Sequence, residues 1–283
     1  MQRRHFIGLA ATGSLAALQA AERPPSAPAA QPAPPGEVTR TLARFLVATT
    51  ADQVPPAVRK EATRTLLNWI GVAVGGSPHE TVGLALAAIA PFSGPPQAGI
   101  AGRRERLDIV SATLVNGISS HVLDFDDTHL KTIIHASSSI VPPLLALAEY
   151  RTVSGRDFLH ALVLGVETAL RVGKAIYPDH YDAGWHITGT AGAIGAAAGA
   201  GKLLDLSETQ MVWALGLAAS QSVGLRESFG SMNKSFNPGR AGQNGLMAAL
   251  LAEKNFTSSE PVSYTHLRAH ETKANLVCRL LLE

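Results

Sequence analysis

Three short stretches concentrate the side chains able to move protons or hold charge. The densest runs from His121 through Asp124, Asp126, Asp127, Thr128 and His129 to His135. Three carboxylates within four residues repel one another, so something must offset them: a cation, helix N-terminal amides or the nearby histidines. A solvated acidic loop with capping aspartates is the plainer reading. The second stretch is Gly184-Trp185-His186-Ile187-Thr188-Gly189-Thr190, just ahead of an Ala/Gly-rich run. A histidine at a helix N-terminus has a lowered pKa, and free amides there suit a carboxylate. A histidine beside a tryptophan is also often just packed. The third stretch, Ser231 to Arg240, sets Lys234 and Arg240 at a helix entrance. Surface solvation would explain two such cations, and so would a cleft for a polycarboxylate.

These residue types leave three chemistries open. One is acid–base work beside a carboxylate, with histidines titrating near the working pH and a cation absorbing developing charge. Another is a metal-dependent hydrolase with His121, Asp124, Asp126, Asp127, His129 and His135 as hard-metal ligands. The last is a carboxylate-binding protein without turnover.

Helices must position all three stretches. Leu42, Phe45 and Leu46 recur at helical spacing within 38–48, and Pro56 can open a second helix whose Leu66, Ile70 and Val74 share a face. Ser77-Pro78-His79-Glu80 reads as a capping box for a third, reaching about Ala90. Residues 91–104 form a loop with room for one short strand. Asp108 caps a helix to about Leu123. Another spans about Ser138 to Tyr150, entered through Pro142-Pro143. Ser154 caps a long helix lined by Phe158, Leu162, Val166 and Leu170. Residues 187–204 form the Ala/Gly-rich helix, Ser207 caps the next with Val212, Leu215 and Ala219 inward, and the last opens after Pro238-Gly239. Gly189, Gly192 and Gly195 give GxxGxxG, but no strand precedes them, so they predict close helix packing rather than a dinucleotide loop. The fold expected is all-α, one helical domain over about 37–261.

The two ends read differently. Arg3-Arg4-His5-Phe6-Ile7 and a mild apolar run to about Ala21 have the layout of a twin-arginine-like export signal, cleaved near Ala20 or Ala21. This predicts a periplasmic destination; the alternative is a cytoplasmic protein. The run is too short and Gly-interrupted for a stable membrane span. Residues 22–36 form a Pro/Ala-rich linker. Residues 262–283 read as a non-native tail, which leaves His266, His270 and Cys278 without function.

Composition narrows the classes further. The chain has 283 residues, 46% hydrophobic and 5% aromatic, a mix suited to close-packed helices. Of the 24 basic and 22 acidic residues, five basic (Arg3, Arg4, Arg268, Lys273, Arg279) and two acidic (Glu271, Glu283) lie in the ends, so the body carries one acid in excess. That gives no support for nucleic-acid binding. A single cysteine excludes an intrachain disulfide and a Cys-based metal centre.

Taken in order, Asn116-Gly117 through His121, Asp124-Phe-Asp-Asp-Thr128-His129, His135 and Pro142-Pro143, then Trp185-His186-x-Thr-Gly-Thr190, then Lys234 and Pro238-Gly-Arg240-Ala resemble the MmgE/PrpD family over about residues 38–260. The resemblance implies an all-helical main domain, a separate α+β lid domain and a homodimer. It implies dehydratase, decarboxylase or epimerase chemistry on small polycarboxylates, with no metal and no organic cofactor. The matching active-site positions are Asp124, Thr128, His135, His186 and Lys234. On that resemblance His135 and His186 form the acid/base or carboxylate-binding pair and Lys234 clamps a carboxylate. Asp124 orients or charges a histidine, Thr128 hydrogen-bonds substrate and Arg240 adds a second cation. The family also uses a tyrosine and basic residues from later in the chain. These have no counterpart here, so the main domain is expected to be incomplete and the lid absent.

Overall fold

The structure, a computed structural model, describes residues 35–259, which fall within one compact unit. The segments expected to be an export signal and a tail, and most of the expected linker, lie outside the described residues. Ten α-helices account for most of the described chain: α1 (Pro35–Ala48), α2 (Pro56–Gly76), α3 (Glu80–Ile89), α4 (Ile109–His121), α5 (Ala136–Tyr150), α6 (Gly155–Ile176), α7 (Asp179–Asp182), α8 (Ile187–Leu203), α9 (Glu208–Ala219) and α10 (Asn233–Glu253). The predicted all-α class is observed. The 91–104 loop contributes β1 (Ala98–Gly99), paired antiparallel with β2 (Arg106–Leu107).

Helix α8 is the axis of the fold. Every residue from Ile187 to Gly201 is buried, and α5, α6, α9 and α10 pack around it. Small side chains allow this, because they let neighbouring backbones approach. A Cβ on Gly195 would stand 2.7 Å from the Gly165 carbonyl of α6, and one on Gly192 would stand 2.5 Å from Ser139 Oγ of α5. One on Gly245 of α10 would stand 2.6 Å from the Ala193 carbonyl. The GxxGxxG spacing is therefore packing, as read from the sequence.

The caps follow the sequence closely in several places. Asp108 accepts from the amides of Val110 and Ser111, Ser154 accepts from Asp157, and Ser207 forms a capping box with Gln210. Helix α10 ends in a Schellman turn: Asn255 takes positive φ, Phe256 N donates to the Leu251 carbonyl and Asn255 N to that of Ala252.

Several boundaries differ from expectation. Pro35 and Gly36, counted with the linker, form the first turn of α1, where a proline costs no hydrogen bond. His79, not Ser77, caps α3 through its Nδ1, while Ser77 turns back to the Val74 and Gly102 carbonyls. Helix α2 buries Ala62, Trp69, Val72 and Ala73, leaving Ile70 and Val74 exposed and Leu66 half-buried. Trp69 is the largest apolar group on the helix, and its burial sets the rotation. Phe45 likewise stays exposed while Leu42, Ala43 and Leu46 enter the core.

The prolines also sit deeper than predicted. Pro142 and Pro143 lie inside α5, and Pro238 inside α10. A helical proline leaves the carbonyl four residues earlier without its amide partner. In α5 those carbonyls are Ser138 and Ser139. Gly117 of α4 and Gly242 of α10 pack directly over them; added Cβ atoms would stand 3.2 and 2.7 Å away. Glycine Cα–H groups thus cover the freed oxygens. The consequence matters for the site: α5 starts at Ala136, directly after His135, and α10 starts at Asn233, directly before Lys234.

Candidate active site

Four segments converge at one end of α8. His121 closes α4, and the chain turns sharply through Asp124, which takes a φ of 56°. A non-glycine residue in that region is uncommon and marks a constrained turn. The turn folds Asp126 back under His121. His135 is the N-cap of α5 and His186 the N-cap of α8, both with non-helical backbone. The His135 amide donates to Thr188 Oγ1, 3.2 Å away, which ties the two helix starts together. Lys234 lies in the first turn of α10. Three helix N-termini therefore face a common region, a favourable setting for negative charge.

At the centre is a carboxylate shared by two imidazoles. His121 Nδ1 lies 2.8 and 3.0 Å from the two oxygens of Asp126, and His135 Nδ1 lies 3.2 Å from one of them. The His121 and Asp126 side chains have no exposure. Burial alone would raise the Asp126 pKa, but the hydrogen bonds from His121 and His135 outweigh it and hold the group well below the usual carboxylate range. Burial likewise pulls His135 down, yet the Asp126 hydrogen bond, with the charges of Asp126 and Asp124, leaves its pKa raised. The other ring nitrogen of His135, Nε2, lies 3.9 Å from Asp124. Both N–H groups of a protonated His135 thus meet carboxylates.

Lys234 completes this half of the site. Its Nζ is 2.6 Å from Asp124 and 5.4 Å from the ring centre of Phe229. Partial burial would raise Asp124, but the Lys234 ammonium keeps its pKa low. Thr128 Oγ1 lies 3.3 Å from His135 Nδ1 and donates to the Asp126 carbonyl at the same distance.

His186 has the opposite character. It is buried, with its ring 6.0 Å from that of His121 and edge-on to Phe229 at 4.9 Å. Burial, reinforced by the positive charges of His121, His135 and Lys234, pushes its pKa down to about 3. It is neutral at physiological pH. His135 and His186, at helix starts tied together through Thr188, are driven in opposite directions, the arrangement by which one site separates acid and base roles.

The sequence-predicted residues divide clearly. Asp124, Thr128, His135, His186 and Lys234 come together. Arg240 does not: it is exposed, its guanidinium is bonded to Gln243, and six residues place it about 240° around α10 from Lys234. His129 turns to Thr132, with Nδ1 2.8 Å from the hydroxyl. Asp127 accepts from the Ser137 amide at 3.0 Å and so secures the start of α5; burial raises its pKa. Asp126 and His121 were read only as possible metal ligands, and Asn237 and Phe229 were not singled out. Asn237 lies within the third stretch, but nothing in its spacing marks it.

A metal ion can be tested against the geometry. Among the described residues, His121, Asp124, Asp126 and His135 each offer a ligand atom within 4.8 Å of the others. Three observations weaken the fit. Asp126 is already engaged by two imidazoles, and Lys234 sets a fixed positive charge against Asp124. Asp127 and His129, needed for a fuller ligand shell, are occupied elsewhere.

Comparison with known proteins identifies the family. The MmgE/PrpD N-terminal domain matches residues 40–266. The chain is 33% identical over 238 residues to a cis-aconitate decarboxylase-like protein of Aspergillus oryzae, covering 81% of this chain and 49% of that protein. It is 31% identical over 248 residues to a cis-aconitate decarboxylase of Aspergillus terreus, covering 84% and 51%. A human cis-aconitate decarboxylase is 29% identical over 222 residues, covering 76% and 46%. The chain thus spans about half the length of the curated relatives it matches.

Proposed function

The chain belongs to the MmgE/PrpD family, and on that premise we propose that its helical body is the main-domain part of a lyase for small polycarboxylates, acting by decarboxylation of a cis-aconitate-like substrate. The observation that carries this reading is the pairing of His135, whose pKa neighbouring carboxylates raise, with a neutral His186 beside Lys234, where three helices begin. Lys234 and the helix amides bind substrate carboxylates. One carboxylate leaves as CO2, and the electrons of its carbon–carbon bond pass into the framework beside a remaining carboxylate. His135, whose Nδ1 is held by Asp126, delivers the Nε2 proton to carbon and is recharged from water. His186, neutral, donates a hydrogen bond to developing negative charge. Dehydration or epimerisation would use the same groups with His135 exchanging a proton at a carbon next to a carboxylate.

The rest of the active site belongs, in this reading, to a lid domain, and the assembled protein is a homodimer. The leader-like Arg3-Arg4 segment directs it to the periplasm. No described helix is long and apolar enough to cross a membrane. The proposed chemistry draws on protein groups alone. A metal-dependent hydrolase remains a second reading because of the four-ligand group around Asp126.

The test has two arms. The chain is titrated with tricarballylate, and a chimera carrying its residues 38–260 in place of the matching segment of the Aspergillus terreus enzyme is assayed for CO2 release from cis-aconitate in D2O. Saturable binding, weakened in Lys234→Gln, and deuterium in the product, lost in His135→Gln, are expected. CO2 release that is abolished by a chelator and tracks bound metal would overturn the metal-free reading, and metal-dependent hydrolytic turnover without CO2 release would favour the hydrolase.

A further inference from the structure

His186 is held from behind by a short hydrogen-bond chain that runs through Asn237 and Ser228. Asn237 Nδ2 lies 3.1 Å from His186 Nδ1 and 3.0 Å from Ser228 Oγ. Ser228 Oγ lies 2.6 Å from the Leu225 carbonyl oxygen. All three side chains are buried.

Elementary donor–acceptor logic fixes the direction of every bond in this chain. A carbonyl oxygen can only accept, so the single Ser228 hydroxyl proton points at Leu225. The Ser228 oxygen facing Asn237 must then accept. The Asn237 atom facing Ser228 is therefore the amide nitrogen, and the same nitrogen faces His186. An amide NH2 can only donate, so His186 Nδ1 must accept. A neutral imidazole has one proton, which is left on Nε2.

We propose that Asn237 is a positioning residue that, oriented by Ser228 and the Leu225 carbonyl, fixes His186 in the Nε2–H tautomer and makes it a hydrogen-bond donor rather than a base. The backbone reinforces the arrangement. The His186 amide donates to the Gly224 carbonyl at 3.0 Å, and a Cβ on Gly224 would press within 3.1 Å of His186 and 3.0 Å of Asn237. The 224–228 segment thus approaches closely enough to orient both side chains. Protonation of Nδ1 would set its N–H against the donor hydrogens of Asn237. The orientation and the buried setting therefore oppose the imidazolium together. With His186 limited to donation, the exchangeable proton of the site belongs to His135.

The proposal rests on the reading of His186 as a site residue, and its test separates the two. Histidines of the whole chain are labelled with 15N, and long-range proton–nitrogen correlation spectra are recorded across neutral pH, with His186→Gln to assign the signal. His186 is expected to show a protonated Nε2 and a bare Nδ1 throughout. In Asn237→Asp the new carboxylate can only accept, so His186 is expected to carry a proton on Nδ1 and to titrate. Ser228→Ala, a one-hydroxyl deletion, is expected to give both tautomers, with the His121 and His135 signals unchanged. A wild-type Nδ1–H tautomer, a titration near neutral pH, or a Ser228→Ala spectrum identical to wild type would overturn the relay. In the decarboxylase chimera, Asn237→Asp is expected to lower kcat at least tenfold with little change in KM and to shift the pH–rate profile. Unchanged turnover with the tautomer reversed would leave the relay standing and remove His186 from the chemistry.

Discussion

Replacing Asp126 by asparagine is the perturbation that bears most directly on the buried network. Asp126 meets His121 at 2.8 and 3.0 Å and His135 at 3.2 Å, with no side-chain exposure. Removing one partner of a buried charged pair costs roughly 3–5 kcal/mol. Asparagine fills the volume and keeps one acceptor, so the lower end, about 3 kcal/mol, is expected where the pair is fully charged. That range follows from the shifts. The Asp126 pKa is depressed on folding, so its contribution is complete above the unfolded aspartate value of about 3.9 and fades as pH falls below it. The His135 pKa is raised, so its contribution is complete below about 6.5 and fades as pH rises through the folded value. The stability gap between wild type and Asp126→Asn should be widest between about pH 4 and 6.5 and narrower at alkaline pH. Urea unfolding at a series of pH values measures it. A gap that is flat from acid to alkaline pH, or that widens toward alkaline pH, would refute the assignment of a charged His135 on Asp126.

Three further outcomes follow from other parts of the fold. Lys234→Gln should weaken tricarballylate binding about 10- to 100-fold, the value of one charge-assisted hydrogen bond, as read by calorimetry. Asp108→Ala should cost about 1 kcal/mol at neutral pH through loss of the α4 cap. Because the Asp108 pKa is lowered to about 2, that cost should vanish as acid unfolding is followed from about pH 4 toward pH 2. Gly245→Ala should destabilise by about 1–3 kcal/mol in a denaturant titration, since its Cβ would stand 2.6 Å from the Ala193 carbonyl.

The residue order alone determined a good deal. Alternation at helical spacing, together with Asp108, Ser154 and Ser207 as caps, marked the helices, because those signals act within one turn of chain. The grouping of Asp124, Thr128, His135, His186 and Lys234 came from the family resemblance, since the residue types alone left a solvated loop, a packed histidine and surface cations open. The rotation of α2 was not legible, because the burial of Trp69 rather than Ile70 depends on what α4 presents to it. Nor were the interior positions of Pro142, Pro143 and Pro238. In α5 the freed carbonyls are buried under Gly117 and Gly242, which arrive from distant sequence. The exclusion of Arg240 came from the early start of α10, which turns it away from Lys234. The lowered pKa of His186 was anticipated from its place at a helix start, but that His135 shifts the other way was decided by the tertiary structure. Both are N-caps of buried helices, and only the folded chain sets Asp126 against one and Asn237 against the other. A pKa responds to charges and donors a few ångströms away in space, and residue order does not specify which groups those will be.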